Sequence, residues 1–404
     1  MRLRTARGYR LNDRIKEQGS SGTCCRRRYA AILGTRPIPS SRATFVRIHR
    51  RDLFRARARS AWIMCIRPRR SSPRSRRDRP GSPVKAIVQI AYGLPRALEL
   101  RDVERPRIGD GQILVKVHAA SVNALDFHIA RGMPYLTRSG GLRAPRDNIR
   151  GVDLSGRIEA VGKDVAGFNV GDEVFGGGNG SFAEYTATTP ERLALKSGRL
   201  THEQAASFFI AGLTALQGLR DKARLQAGHS ALIIGAGGGV GTFAVQFAKW
   251  LGADVTAVTR TENIDLVRSI GADDVIDYHA EDFASRGKRY DVLFDISGNR
   301  PFADCRRVLA QRGTLIAVGA PAGRWLAPAT RLLGAAALSP FVSQKLAPFV
   351  AKPSAADLAL MNDLAEAGKI RPVIDREYAL SETVEALTYL GTGRARGKVI
   401  IKIL

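Results

Sequence analysis

The stretch LIIGAGGGVGTFAVQFAKWLGADVTAVT, Leu232 to Thr259, constrains the fold more than any other. An apolar run ending at Ile234 enters a glycine cluster. Apolar residues then recur at 240, 243, 244, 247, 248 and 251, the stripe of a helix. A β-branched run, DVTAVT, follows. Strand, glycine turn, helix and strand make a βαβ unit, whose turn fits A-x-G-x-x-G at Ala236, Gly238 and Gly241. Small residues there allow a tight turn, close approach of backbone N–H groups to a pyrophosphate, and close helix–strand packing. The helix start adds free N–H donors and a positive dipole end. In this context the motif predicts a dinucleotide site rather than an empty glycine-rich turn.

The end of the second strand bears on which dinucleotide. NAD sites usually place an acid there to bind the ribose 2′-hydroxyl. Here stand Thr259 and Arg260, a hydroxyl and a guanidinium suited to a 2′-phosphate. NADPH is therefore expected over NADH, although Glu262 lies near enough to keep NADH possible.

From about Ala206 the chain alternates strands (DVTAVT, DVIDY, YDVLFDISG, GTLIAVG) with helices (IDLVRSIG, FADCRRVLA). That pattern predicts an α/β fold with a doubly wound parallel sheet. Before it, Val84 to about Leu195 reads as short strands cut by Gly, Pro and Asp clusters, a β-rich and mostly antiparallel domain. The tail adds two helices and two strands, the last being GKVIIKIL, and is expected to return to that first domain. The boundaries are drawn at 84–205 with 342–404 for the β-rich domain and at 206–341 for the nucleotide-binding domain.

The net charge of +27 would suit a nucleic-acid binder, but residues 1–83 hold 24 of the 64 Lys+Arg and 4 of the 37 Asp+Glu. This Arg-rich segment lacks apolar periodicity and is read as disordered or non-native, an extension from an upstream start. A targeting peptide and a basic arm for nucleic acid are the alternatives. Nucleic acid is not an expected partner of the body. Of four cysteines, Cys24, Cys25 and Cys65 lie in the extension and Cys305 alone in the body, which suits a reducing, cytoplasmic compartment. The apolar stretch Ala231 to Ala248 holds five glycines and is read as strand, turn and helix, not as a membrane span.

The motifs AASVNALDFHIARG, GVDLSGRIEAVG, VGDEVFG, GSFAEY, GAGGGVG and GADDVIDY, in this order, resemble the medium-chain dehydrogenase/reductase superfamily. Within it the body is similar to the zinc-lacking quinone oxidoreductase and enoyl reductase branch. The resemblance implies a GroES-like domain beside a Rossmann domain, an active site in the cleft between them, and a homodimer. Zinc-dependent relatives carry Cys where this chain has Asn123, and Gly-His-Glu where it has Gly151, Val152 and Asp153. Their third ligand, usually Cys, falls around Ile210 or Ala211. Zinc needs three N, S or carboxylate ligands and an open position, so no zinc is expected. The structural-zinc lobe is absent as well, because FGGGNGSFAEY is short and has no Cys.

The same resemblance places Asn123, Asp126 and His128 in the cleft, with Tyr135 in RGMPYL as a possible proton donor. Asp126 as a structural acid, His128 as a surface or core residue and Tyr135 as a packing residue remain open. For the cofactor it selects Gly239 and Val240 at the diphosphate; Thr259, Arg260 and Asn263 at the 2′-phosphate; Tyr278 near the adenosine phosphate; and Gly319 and Ala320 beside the nicotinamide. Without a Lewis acid, hydride transfer favours acceptors that delocalise charge themselves. The expected activity is NADPH-dependent reduction of a quinone or conjugated enone, with water, Tyr135 or His128 returning the proton. The alternatives are an alcohol or aldehyde dehydrogenase-like reductase, a cofactor-binding sensor, and a nucleic-acid binder acting through the basic arm.

Overall fold

The computed structural model describes residues 82–94, 97–133, 138, 141, 145, 148–318 and 343–404. The extension up to residue 81, Tyr135, Gly319 and Ala320 lie outside the described residues. Leu232, Ile233 and Ile234 are buried on both faces of their strand, as a central parallel strand requires. That strand, Ser230–Ile234, sits inside a six-stranded parallel sheet. On one side lie Asp254–Thr259 and then Asp274–Asp277; on the other lie Tyr290–Asp295, Leu309–Ala317 and Lys345–Pro348. Strand order therefore reverses beside Ser230–Ile234, and in open α/β sheets ligands bind at the carboxyl ends around such a point.

The helix Gly239–Trp250 leaves that strand with almost no separation. A Cβ on Gly241 would stand 2.2 Å from the Gly235 carbonyl oxygen, so only glycine lets helix and strand pack this closely. The final parallel strand, Lys345–Pro348, begins beyond the expected boundary at 341 and corrects it. It is four residues long with no fully buried side chain, so it has none of the apolar run or alternation that marks a strand in sequence.

The second sheet is built on Ile113–Val122, which pairs antiparallel with Asp153–Val161 on one side and with Lys398–Lys402 on the other. The chain end thus returns to the first domain, with Ile374–Ala379 parallel beside it. The two domains share one apolar core. Phe175, from the strand Glu173–Gly177, lies 5.6 Å from Phe208, which lies 5.2 Å from Phe243 on the cofactor helix. Phe247 continues the series at 6.1 Å. Leu358, Met361 and Leu364 of the helix Ala355–Glu366 join the same core, although the helix falls in the tail expected to belong to the β-rich domain.

Phe208 is fully buried midway along this aromatic series. Phe208→Ala is expected to cost about 3–5 kcal/mol, the usual range for deleting a buried aromatic ring. Urea unfolding checks this, and a loss below about 1 kcal/mol would show that the series does not hold the domains together.

Candidate active site

The cofactor loop turns sharply after Ile234. Gly235 has φ +87°, a left-handed value that favours glycine, and the N–H groups of Gly235 and Ala236 both donate to the Val258 carbonyl at 3.1 Å. Ala236 is fully buried. Gly238 caps the helix, and Thr242 N–H makes the first intrahelical bond back to its carbonyl at 2.9 Å. The N–H groups of Gly239, Val240 and Gly241 therefore belong to the helical turn that has no intrahelical acceptor. A Cβ on Gly237 would fall 2.3 Å from Asn263 Nδ2 and 2.8 Å from Thr259 Oγ1, so the bare backbone is what fits between them.

These residues line a cavity of about 580 Å³ at the strand-order reversal, walled by Gly237, Gly238, Thr259, Arg260, Asn263 and Tyr278. Asn263 is 3% exposed, and its side-chain oxygen has no partner. A buried polar atom left unsatisfied in a cavity wall fits a polar ligand. Arg260 lines the cavity, whereas Glu262 is 68% exposed and reaches Arg260 Nε only at 3.9 Å. Tyr278 stands half-exposed against His279. Sequence reasoning missed Arg300, a second guanidinium on the cavity wall, which pairs with Asp282 and lies over the Phe283 ring. Forty residues separate it from Arg260, so no local spacing announces it. The donors and the glycine cradle fit a nicotinamide dinucleotide.

A second cluster forms where the β-rich sheet meets the cofactor loop. Asn123 caps the helix Ala124–Arg131, and its N–H donates to the Asp126 carboxylate at 2.8 Å. Asp153 is fully buried. Its Oδ2 accepts from Ser121 Oγ at 2.7 Å and from Lys398 Nζ at 3.1 Å, and its Oδ1 accepts from Ile210 N–H at 3.1 Å. Lys398 Nζ also donates to Asn123 Oδ1 at 2.6 Å. The fold thus brings Asn123, Asp126 and Asp153 together. His128 lies exposed two residues on from Asp126, on the opposite side of the helix.

Lys398, 2% exposed, is the residue that sequence reasoning missed here. Its signal was present: a cation opening an apolar strand that returns to a domain holding a buried acid. Where the resemblance places the metal ligands of zinc-dependent relatives, this chain has the amide of Asn123, the apolar Val152, and Ile210 or Ala211, while the neighbouring carboxylate of Asp153 is already held by three donors. Among the described residues, no group of three or more His, Cys, Asp or Glu is arranged to hold a metal ion.

Burial first, and then the charge of Asp153, push Asp126 up from its ordinary 3.8 to about 7. The backbone N–H of Asn123 and the charge of Lys398 oppose this. Asp126 therefore takes up a proton near neutrality within the cluster.

Residues 109–198 match the alcohol dehydrogenase GroES-like domain family, and residues 270–401 match the family described as zinc-binding dehydrogenase. The second match contains none of positions 123, 153 and 210. The chain is 33% identical over 335 residues to the 2-methylene-furan-3-one reductase of Solanum lycopersicum, covering 79% of each chain. It is 32% identical over 333 residues to the chloroplastic NADPH-dependent alkenal/one oxidoreductase of Arabidopsis thaliana, again covering 79% of each. Among solved structures, the quinone oxidoreductase from Coxiella burnetii superposes with a TM-score of 0.72 at 30% identity, over 80% of this chain and 100% of that one.

The raised Asp126 pKa sets a stability-versus-pH prediction. The folded state binds this proton more tightly than the unfolded state, so the group's contribution is full below about pH 4 and is lost as pH rises to about 7. Asp126→Asn cannot ionise and keeps an oxygen for the Asn123 N–H. Its melting temperature relative to the wild type is expected to climb between pH 4 and 7 and then level off. A difference independent of pH would show that Asp126 is ionised throughout that range.

Proposed function

Because the chain belongs to the medium-chain dehydrogenase/reductase superfamily, in its quinone oxidoreductase branch, we propose that it uses NADPH to reduce quinones or α,β-unsaturated carbonyls without a metal ion. It is an oxidoreductase of the NAD(P)H-dependent kind. The observation that carries the metal-free reading is chemical. The positions at which a catalytic zinc would be ligated, Asn123, Val152 and Ile210 or Ala211, offer no thiolate and no imidazole, and the carboxylate beside them, Asp153, is bound to Ser121, Ile210 and Lys398.

NADPH, when bound, supplies the hydride. The chain's own residues then have three tasks. Gly239 to Gly241 receive the diphosphate on backbone N–H groups at the helix start, and Gly238, whose own N–H donates to the Gly235 carbonyl, leaves room for it to approach. Arg260, with Thr259, Asn263 and Arg300 around the same cavity, receives the 2′-phosphate; Glu262 points outward, and Asp282 is already paired with Arg300. Asn123 holds an amide at the cleft beside Asp126 and Asp153, where donors to a developing oxyanion are needed. A quinone or enone spreads the incoming charge over its conjugated system, so a fixed dipole suffices in place of a Lewis acid. Water or Tyr135 returns the proton; His128, exposed on the far side of its helix, does not face the cluster. The solitary body cysteine supports a reducing compartment such as the cytoplasm, and among the described residues no helix is long and apolar enough to cross a membrane.

The test follows NADPH absorbance with the purified chain and a panel of quinones, enones, enoyl thioesters, ketones and alcohols, with and without chelator. Conjugated acceptors are expected to turn over at a chelator-independent rate. Chelator-sensitive alcohol oxidation as the main activity would overturn the metal-free reading. Arg260→Ala is expected to raise the NADPH KM by about tenfold or more, the worth of a charge-assisted hydrogen bond, and to leave the NADH KM nearly unchanged. Equal kcat/KM for both cofactors in the wild type would refute the NADPH assignment.

A further inference from the structure

We propose that Lys398 is a positioning residue, an ammonium built into the chain that joins the cleft residues Asn123 and Asp153 to each other and to the cofactor loop. The inference rests on the reading of this cleft as the site of reduction.

Three observations carry it. The first is where the ammonium lies. It donates to Asn123 Oδ1 at 2.6 Å and to Asp153 Oδ2 at 3.1 Å, while the other Asp153 oxygen is held by the Ile210 backbone. Positions 123, 153 and 210, on three separate segments, are thereby linked through one carboxylate and one cation.

The second is burial. Lys398 is 2% exposed and Asp153 fully buried. Lysine is almost never buried to this degree unless paired, and well-packed apolar residues often serve stability as well as a buried ion pair does. A pair retained here has a role that an apolar pair could not fill, and the amide of Asn123 supplies it. An apolar side chain at 398 would leave the Asn123 oxygen without its short, charge-assisted bond.

The third is the other side of the same dipeptide. Gly397 N–H donates to the Gly237 carbonyl at 2.9 Å, and Gly397 pairs with Gly238 in an isolated bridge. A Cβ on Gly239 would lie 3.1 Å from Lys398 Cδ, so the lysine stem runs along the first residue of the cofactor helix. Gly397 itself has φ +92°, and a Cβ there would meet the Val373 carbonyl oxygen at 2.3 Å. Backbone at 397 thus holds the cofactor loop, and side chain at 398 holds the cleft. A change in the loop on cofactor binding reaches Asn123 through this one dipeptide.

The experiment compares the full chain with Lys398→Met, which keeps the stem and removes the charge, and with Lys398→Met/Asp153→Asn, which restores neutrality. Melting temperature, NADPH Kd by fluorescence titration, and kcat and KM for a conjugated acceptor are measured for each. Lys398→Met is expected to lower kcat on the order of tenfold to a hundredfold, as misplacement near the reacting atoms does, with acceptor KM little changed and NADPH Kd weakened severalfold. The double variant is expected to regain the melting temperature but not kcat. Recovery of kcat with stability in the double variant would make Lys398 a counterion for Asp153 and nothing more. Wild-type kcat and NADPH Kd in Lys398→Met would overturn the proposal outright. Should Lys398→Met fail to fold, kcat and NADPH Kd of the neutral double variant distinguish the same two outcomes. If the wild type turned over no conjugated acceptor, the functional reading would fail, and the NADPH Kd of the variants would still decide whether Lys398 supports the loop.

Discussion

A carboxylate sealed from water has to be satisfied completely, and Asp153 imposes that demand on the whole β-rich domain. Its two oxygens collect a hydroxyl from the strand Ile113–Val122, a backbone N–H from the helix Phe209–Gln217 and an ammonium from the strand Lys398–Lys402. Leaving such a group short of a partner costs more than a typical single contact contributes. The chain's last strand therefore has to come back beside Ile113–Val122, and the helix after Phe208 has to start where it does. Both placements bring the buried cluster around Asp153 beside the glycine loop. The carboxylate that could have been read as a metal ligand is instead the junction at which three distant segments meet.

Much of this architecture is legible in the amino-acid sequence, for a physical reason. The glycine loop, its helix and the alternating strands are local patterns whose spacing is fixed by backbone geometry, so Gly235 to Thr259 announce themselves. The parallel sheet and the return of GKVIIKIL to the first domain follow in the same way. Lys398 did not, because its partners are 275 and 245 residues away and its neighbours make it look like the polar end of a strand. Arg300 was hidden likewise, since its place on the cofactor cavity is set by sheet order. The strand Leu98–Glu104 carries mostly exposed side chains and shows no alternation to read. Asn123, Asp126 and Asp153 could be singled out from the resemblance. That they form one hydrogen-bonded cluster is information that only the fold contains.

Charge is distributed in a way that net composition conceals. Most of the basic excess belongs to residues 1–83, and the body carries little. What matters for anion binding is local: two guanidiniums, Arg260 and Arg300, on one cavity wall, with Glu262 turned to solvent. The same locality governs Asp126, which takes on a near-neutral pKa from burial and one neighbouring carboxylate. A body of modest overall charge thus contains both a cavity wall with two guanidiniums and an acid whose pKa is pushed up to about 7.

The aromatic series from Phe175 through Phe208 and Phe243 to Phe247 has a consequence for modularity. Its rings are contributed by both domains, and the helix Ala355–Glu366 packs into the same core from the far end of the chain. The nucleotide-binding half is therefore not a detachable cassette. A chimera cut at the boundaries suggested by sequence texture would part Phe175 from Phe208, Phe243 and Phe247 and strip the 355–366 helix from their core. A functional graft would have to carry Phe175 and the 355–366 helix along with the glycine loop. Recombination in a chain of this kind is limited less by the cofactor motif than by the greasy seam behind it.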